Sequence, residues 1–282
     1  MTMLRIRARE ARDVVVAAKA VNLQGGVRLS YVETGNPGGP PVILLHGYTD
    51  SLRSFDLLLP HLPASYRVVA LSQRGHGDAS RPPHGYRPRD FAADLAAFMD
   101  ALGIQSAVIV GHSMGSQVAL RFAIGHAARV AGLVLIGGFA SLGRNPVMRE
   151  FYKASVAPLS DPIDADFARE FQESTLANPV PPAFLDTVVA ESLKVPARVW
   201  RGALAGQMEE DVTAELRAIH APTLLLWGDR DALVSRGDQD ALVDAMRNAV
   251  LVTYARIGHA VHWEAPGRVG ADLTAFVDTV AA

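Results

Sequence analysis

The sequence predicts an α/β protein with a mostly parallel central sheet and helices on both of its faces. Two observations carry this. Seven short apolar runs rich in β-branched residues recur along the chain, and the segments between several of them show helical spacing. The runs are Val27 to Glu33, Val42 to Leu45, Val68 to Leu71, Ala107 to Val110, Leu133 to Ile136, Thr223 to Trp227 and Val250 to Tyr254. Helical periodicity is clearest in Pro88 to Leu102, through Phe91, Leu95, Phe98, Met99 and Leu102, and in Met114 to His126. Val14 to Ala18 reads as a further, first strand behind a frayed end. The stretch from Gly35 to Pro41 is turn chemistry and not a linker.

Residues 139 to 216 differ in kind. Pro146, Pro158, Pro162, Pro179, Pro181, Pro182 and Pro196 punctuate short amphipathic segments with no convincing strand. The expectation is a core domain formed by residues 1–138 and 217–282, with 139–216 as an inserted helical cap.

Bulk properties exclude several classes. With 49% hydrophobic and 20% charged residues the 282-residue chain is far from the composition of a disordered one. Lys and Arg number 27 against 29 Asp and Glu, a net charge of −2, so no basic field draws nucleic acid. No run approaches the ~18 apolar residues of a membrane span. The arginines at 5, 7, 9 and 12 precede an apolar run too short for a secretory signal. With no cysteine there is no disulfide and no thiolate, which fits a reducing cytoplasm.

The strongest local signal is Gly111-His112-Ser113-Met114-Gly115, placed directly after one apolar run and directly before a helical one. A sharp strand-to-helix turn needs small neighbours, and it lifts the central hydroxyl above the sheet as a nucleophile elbow. A serine hydroxyl needs an adjacent base held in the right tautomer by a carboxylate. Two later strand ends offer such groups. One is Gly228-Asp229-Arg230-Asp231, with two carboxylates, and the other runs from Gly258 through His259 and His262 to Pro266.

Taken with His46-Gly47 and Arg74-Gly75-His76-Gly77, these motifs resemble, in order and over most of the chain, the α/β-hydrolase fold superfamily in its cap-bearing, esterase-like branch. The resemblance implies Ser113 as nucleophile, Asp231 as acid and His259 as base, with Asp229 bracing its loop and His262 packing in the final helix. It implies an oxyanion hole made by the backbone N–H groups of Tyr48 and Met114, the second at a helix start whose dipole assists. The Tyr48 phenol either reaches a substrate oxygen or forms a pocket wall. Ser72, Ala79 and Ser116 depart from the usual residues without touching the three implied catalytic positions.

The nucleophile excludes haloalkane dehalogenases and epoxide hydrolases, which resemble the chain but need a carboxylate at the elbow. The expected chemistry is hydrolysis of carboxylic esters or lactones of small, largely apolar substrates through an acyl-enzyme. Perhydrolase, C–C bond hydrolase, amidase and acyl-transfer chemistry share the same three residues, and a small-molecule receptor that retains them is the non-enzymatic alternative. Tyr48, Phe139, Phe151, Trp200 and His262 are the candidate pocket residues. His46, His76 and His112 read as scaffold, and His61, His84, His126 and His220 lack metal-ligand spacing. No cofactor or metal is implied, and a monomer or homodimer is expected.

Overall fold

The computed structural model describes residues 18–281. Its strands are β1 (Lys19–Asn22), β2 (Arg28–Gly35), β3 (Pro41–Leu45), β4 (Arg67–Ser72), β5 (Ala107–His112), β6 (Val130–Ile136), β7 (Thr223–Gly228) and β8 (Ala249–Tyr254). They form one sheet in the order β1-β2-β4-β3-β5-β6-β7-β8. Pairing is antiparallel from β1 to β2 and from β2 to β4, and parallel throughout the rest. The strand expected at Val14 to Ala18 falls outside the described residues except for Ala18, which is not in a strand.

β3 to β7 read as near-continuous apolar runs because both faces of the sheet are covered. Alternate residues then serve two cores. Ile43, Leu45, Val69, Leu71, Ile109, Leu133 and Leu135 pack on one side, against Phe91, Leu95 and Phe98 of α1 (Pro88–Ala101) and Val118 and Phe122 of α2 (Met114–Gly125). Val42, Leu44, Val68, Val108, Val110, Val134 and Ile136 face the other way. They meet Val269, Leu273 and Val277 of a long helix, whose bounds follow below.

Between β6 and β7 the chain forms α3 (Pro146–Phe151), which runs on into a wider turn over Tyr152–Val156, then α4 (Ala165–Glu173), α5 (Pro182–Leu193) and α6 (Ala197–Glu209). The ends of this insertion are held together by an antiparallel bridge between Ser141 and Asp211, and by the Val212 N–H donating to the Ala140 carbonyl at 3.1 Å. α7 (Arg236–Ala245), the short α8 (Val261–Glu264) and α9 (Pro266–Ala281), the long helix of the second core, complete the chain. None of the described helices is long and apolar enough to cross a membrane.

Because β3, β5, β6, β7 and β8 run parallel, the loops that follow them gather at one edge, where α/β folds place ligands. Tyr48, Ser113, Phe139, Asp231 and His259 all lie on those loops or, for Ser113, at the turn itself. The tightest junction there is Gly115. A Cβ at this position would sit 2.2 Å from the Leu45 carbonyl oxygen and 2.8 Å from that of His46, so the start of α2 is pressed onto the end of β3 without room for a methyl group.

Gly115→Ala is therefore expected to destabilise the fold by about 1–3 kcal/mol, the usual range for forcing atoms into a packed site. Urea unfolding measures it. An unchanged midpoint would mean that α2 and β3 part freely.

Candidate active site

Ser113 sits between β5 and α2 with φ 51° and ψ −114°, a conformation that costs a non-glycine residue about 1–3 kcal/mol and survives only where its surroundings impose it. Its N–H donates to the Ile136 carbonyl at 2.9 Å, and its own carbonyl accepts from the Ser116 hydroxyl at 2.6 Å. Ser116, where the family often has glycine, thus braces the turn. The Met114 N–H opens α2 and has no intrahelical acceptor. Among the described residues neither it nor the Tyr48 N–H donates to another protein group.

The structure brings His259 and Asp231 together. His259 Nδ1–H donates to Asp231 Oδ2 at 2.7 Å, and both side chains are buried. Asp231 Oδ1 accepts from the N–H groups of Leu233 and Val234 at 2.8 and 2.9 Å. Burial alone would raise this carboxyl, but the His259 ring and the two amides outweigh it and hold Asp231 below the usual carboxylate range. Asp229 is turned elsewhere: its carboxylate accepts the Arg256 N–H at 2.5 Å, tying its loop to the end of β8.

The His259 ring packs against Gly137, whose left-handed φ of 56° and missing Cβ make room; a Cβ there would meet the ring at 2.8 Å. From the insertion, the Thr175 carbonyl accepts the N–H groups of both His259 and Ala260 at 2.8 and 3.2 Å. Glu264 of α8 accepts from Gly258, Ala177 and Asn178 amides, stitching the same loop to the insertion. Nothing in the sequence motifs signals Thr175 or Glu264 in this role, because the bonds that join the insertion to the His259 loop and α8 span 84 to 87 residues.

Ser113 and His259 line one cavity of about 30 Å³ with Tyr48, Phe139, Met148, Phe171, Leu204 and Gln207. His259 Nε2 is buried without a protein hydrogen-bond partner. Phe139 and Tyr48 thus stand at the cavity, while three expected pocket residues do not. Trp200 is fully buried behind Tyr48, with ring centroids 5.4 Å apart, and Phe151 stacks behind Phe171 at 5.8 Å. The aromatic side chains are divided into an inner wall and a supporting layer that composition cannot separate.

His262 is the third correction. It lies in α8 and not in the long final helix, buried beneath His112 with ring centroids 4.5 Å apart and Nε2 3.1 Å from the Ser54 hydroxyl. The Tyr48 phenol is also committed: it donates to the Trp200 carbonyl in α6 at 2.7 Å, so it is a wall of the cavity and not a free donor. Leu142, Leu233 and Val234 complete the lining, and no motif marks them. A wider concavity of about 360 Å³ shares Phe139, Leu142, Leu233 and Val234 with it and is also lined by Ser141, Arg144, Asn145 and Asp238.

A family model described as the alpha/beta hydrolase fold matches residues 40–266, and the chain belongs to that family. It is a hydrolase of this fold. It is 29% identical over 284 residues to a non-heme haloperoxidase of Rhodococcus erythropolis, covering 92% of this chain and 99% of that protein. To a 2-hydroxy-6-oxononadienedioate/2-hydroxy-6-oxononatrienedioate hydrolase of Paraburkholderia xenovorans it is 30% identical, covering 85% and 87%. Among solved structures it resembles the esterase RhEst1 of a Rhodococcus species, at TM-score 0.83 and 26% identity over 93% of this chain and 99% of that one.

Four buried imidazoles surround the site. His46 donates from Nδ1 to the Gly47 carbonyl at 2.8 Å and accepts the Gln73 N–H at Nε2, which fixes it as a neutral brace between the loops after β3 and β4. Burial pushes His46 down to about 4 and His76 to about 3; it also lowers His112, and His262 well below its ordinary value. In the unfolded chain these groups take up protons near pH 6.5. Folded, His46 and His76 stay neutral down to about pH 4 and about pH 3, so stability is full above 6.5 and falls as pH drops through that window. His46 and His76 together are expected to lower the unfolding free energy by about 2–4 kcal/mol between about pH 7.5 and about pH 5. Urea titrations at the two pH values test this; equal unfolding free energies would refute it.

Proposed function

We propose that the protein is a serine hydrolase that cleaves carboxylic esters or lactones of small, largely apolar substrates through an acyl-enzyme on Ser113. One observation carries the reading: a buried His259–Asp231 pair at 2.7 Å whose imidazole shares a cavity with a serine held in an imposed backbone conformation. Ser113 Oγ attacks the substrate carbonyl while His259 Nε2 takes its proton. Asp231, ionised and desolvated, stabilises the imidazolium that forms. The oxyanion is received by the N–H groups of Tyr48 and Met114, aided by the α2 dipole. His259 then returns the proton to the leaving alkoxide, and water cleaves the acyl-enzyme by the same route in reverse.

Residues 139–216 serve as the cap that closes the site. The wall of Tyr48, Phe139, Met148, Phe171 and Leu204 supports an apolar acyl group, and a cavity of about 30 Å³ supports a short one. The partner is a small molecule and no cofactor takes part; the absence of cysteine suits a reducing cytoplasm. A second reading, transfer of the acyl group to hydrogen peroxide instead of water, is favoured by the full-length likeness to a non-heme haloperoxidase.

Ser113→Ala is expected to abolish turnover of p-nitrophenyl acetate in a folded protein, and a fluorophosphonate to label Ser113 alone. Peptide mass spectrometry locates the adduct, and labelling of another serine would overturn the assignment. Peracid formation in the same panel distinguishes the second reading. Asp231→Asn is expected to cost about 10⁴ in kcat and Asp229→Asn far less; the opposite ranking would move the acid to Asp229. For chain length, p-nitrophenyl acetate is expected to exceed the octanoate by about tenfold or more in kcat/KM, with Phe139→Ala narrowing the gap. A preference for octanoate in the wild type would show that the cavity opens well beyond the closed shape.

A further inference from the structure

We infer that the cap does more than cover the site: through Gln172 it holds the loop that presents the Tyr48 N–H, making Gln172 a positioning residue for the oxyanion hole. This rests on the serine-hydrolase reading above.

The loop after β3 contains a strained residue. Thr49, directly after Tyr48, is fully buried with φ 66°. A β-branched residue at positive φ is an outlier that persists only where its surroundings impose it. Backbone closure of the loop is one bond of 3.3 Å from the Asp50 N–H to the Gly47 carbonyl, which also accepts from the His46 ring at 2.8 Å, and neither bond touches Thr49. The side-chain contacts made to the Thr49 hydroxyl come from the cap. Gln172 of α4 is buried, and its Nε2 donates to Asp50 Oδ1 at 3.0 Å and to the Ser192 hydroxyl at 2.7 Å, with Thr49 Oγ1 at 3.4 Å. Ser192 of α5 lies 3.3 Å from the same Thr49 hydroxyl.

Asp50 anchors the other end. This buried carboxylate accepts from the Ser54 hydroxyl at 3.3 Å and lies 3.7 Å from His112 Nδ1, under the elbow. A buried carboxylate is costly unless hydrogen-bonded, so the Gln172 contact is difficult to release. Three residues further along the cap, the Thr175 hydroxyl donates to the Gln172 carbonyl at 2.7 Å, while the Thr175 carbonyl accepts the His259 and Ala260 amides. The segment 172–175 therefore grips the oxyanion loop with a side chain and the base loop with its backbone. A displacement of the cap moves both catalytic loops together.

The test combines kinetics on p-nitrophenyl acetate with amide hydrogen exchange of the full chain. Gln172→Met keeps the volume and removes the amide. It is expected to lower kcat about tenfold or more with KM within about twofold, since outright loss of an oxyanion donor costs about 10² to 10³. Exchange at residues 48–50 is expected to accelerate selectively. In a Thr49→Gly background, where the backbone strain is gone, the same substitution is expected to cost less than about threefold, a coupling that a uniformly destabilised protein would not show. Should Gln172→Met fail to fold, Ser192→Ala carries the same exchange test. Wild-type kcat and wild-type exchange at 48–50 would overturn the inference, and with Ser113→Ala still inactive the serine-hydrolase reading would stand. A wild type inert towards esters would strike that reading instead, and exchange at 48–50 would still decide whether Gln172 holds the loop.

Discussion

The burial of β5 on both faces is the constraint from which the rest of this structure follows. Every residue from Ala107 to His112 is buried, so no polar side chain can work along the strand, and chemistry is confined to its carboxyl end. There the chain reverses through Ser113 into α2. The turn is affordable because α2 is locked onto β3 at Gly115 and the Ser113 N–H is bound to the end of β6. Packing over the whole domain thus supplies the strain energy that keeps one hydroxyl exposed above the sheet.

Beneath that turn the protein keeps an uncommon concentration of buried polar groups. His46, His76, His112, His262 and Asp50 are almost wholly removed from solvent. Hydrogen bonds of His46, Asp50 and His262 to backbone groups and to Ser54, Gln73 and Gln172 link the loops after β3 and β4 with α8 and α4. Such a network is costly when any partner is lost, and for the same reason it favours one arrangement over near alternatives. Keeping these imidazoles neutral leaves Asp231 as the charge paired with His259.

The insertion between β6 and β7 is joined to the rest of the chain in two different ways. Apolar contacts of Phe184 and Val188 with Trp263, and of Trp200 and Phe171 with Tyr48, give it affinity for the sheet edge. Polar contacts through Gln172, Thr175 and Glu264 give it register. The first kind tolerates sliding. The second does not, because hydrogen bonds weaken steeply with small displacements.

Much of the layout was legible in neighbouring residues: apolar runs marked β2 to β8, helical spacing marked α1 and α2, and Gly111 to Gly115 marked the elbow, while the short, polar β1 carried no such signal. The loops carrying Asp231 and His259 were legible for the same reason, each being a short polar cluster after a strand. Tertiary structure decided what local pattern cannot encode. It placed Asp231 and not Asp229 on His259, because the choice depends on which carboxylate the β7 end turns inward. It moved Trp200, Phe151 and His262 out of the expected pocket, since layers within an aromatic cluster are set by packing between helices distant in sequence. It also gave Gln172 and Thr175 their partners, Asp50 lying 122 residues before the one and His259 84 residues after the other: hydrogen bonds between segments that meet only when the chain has closed leave no trace in the residues on either side.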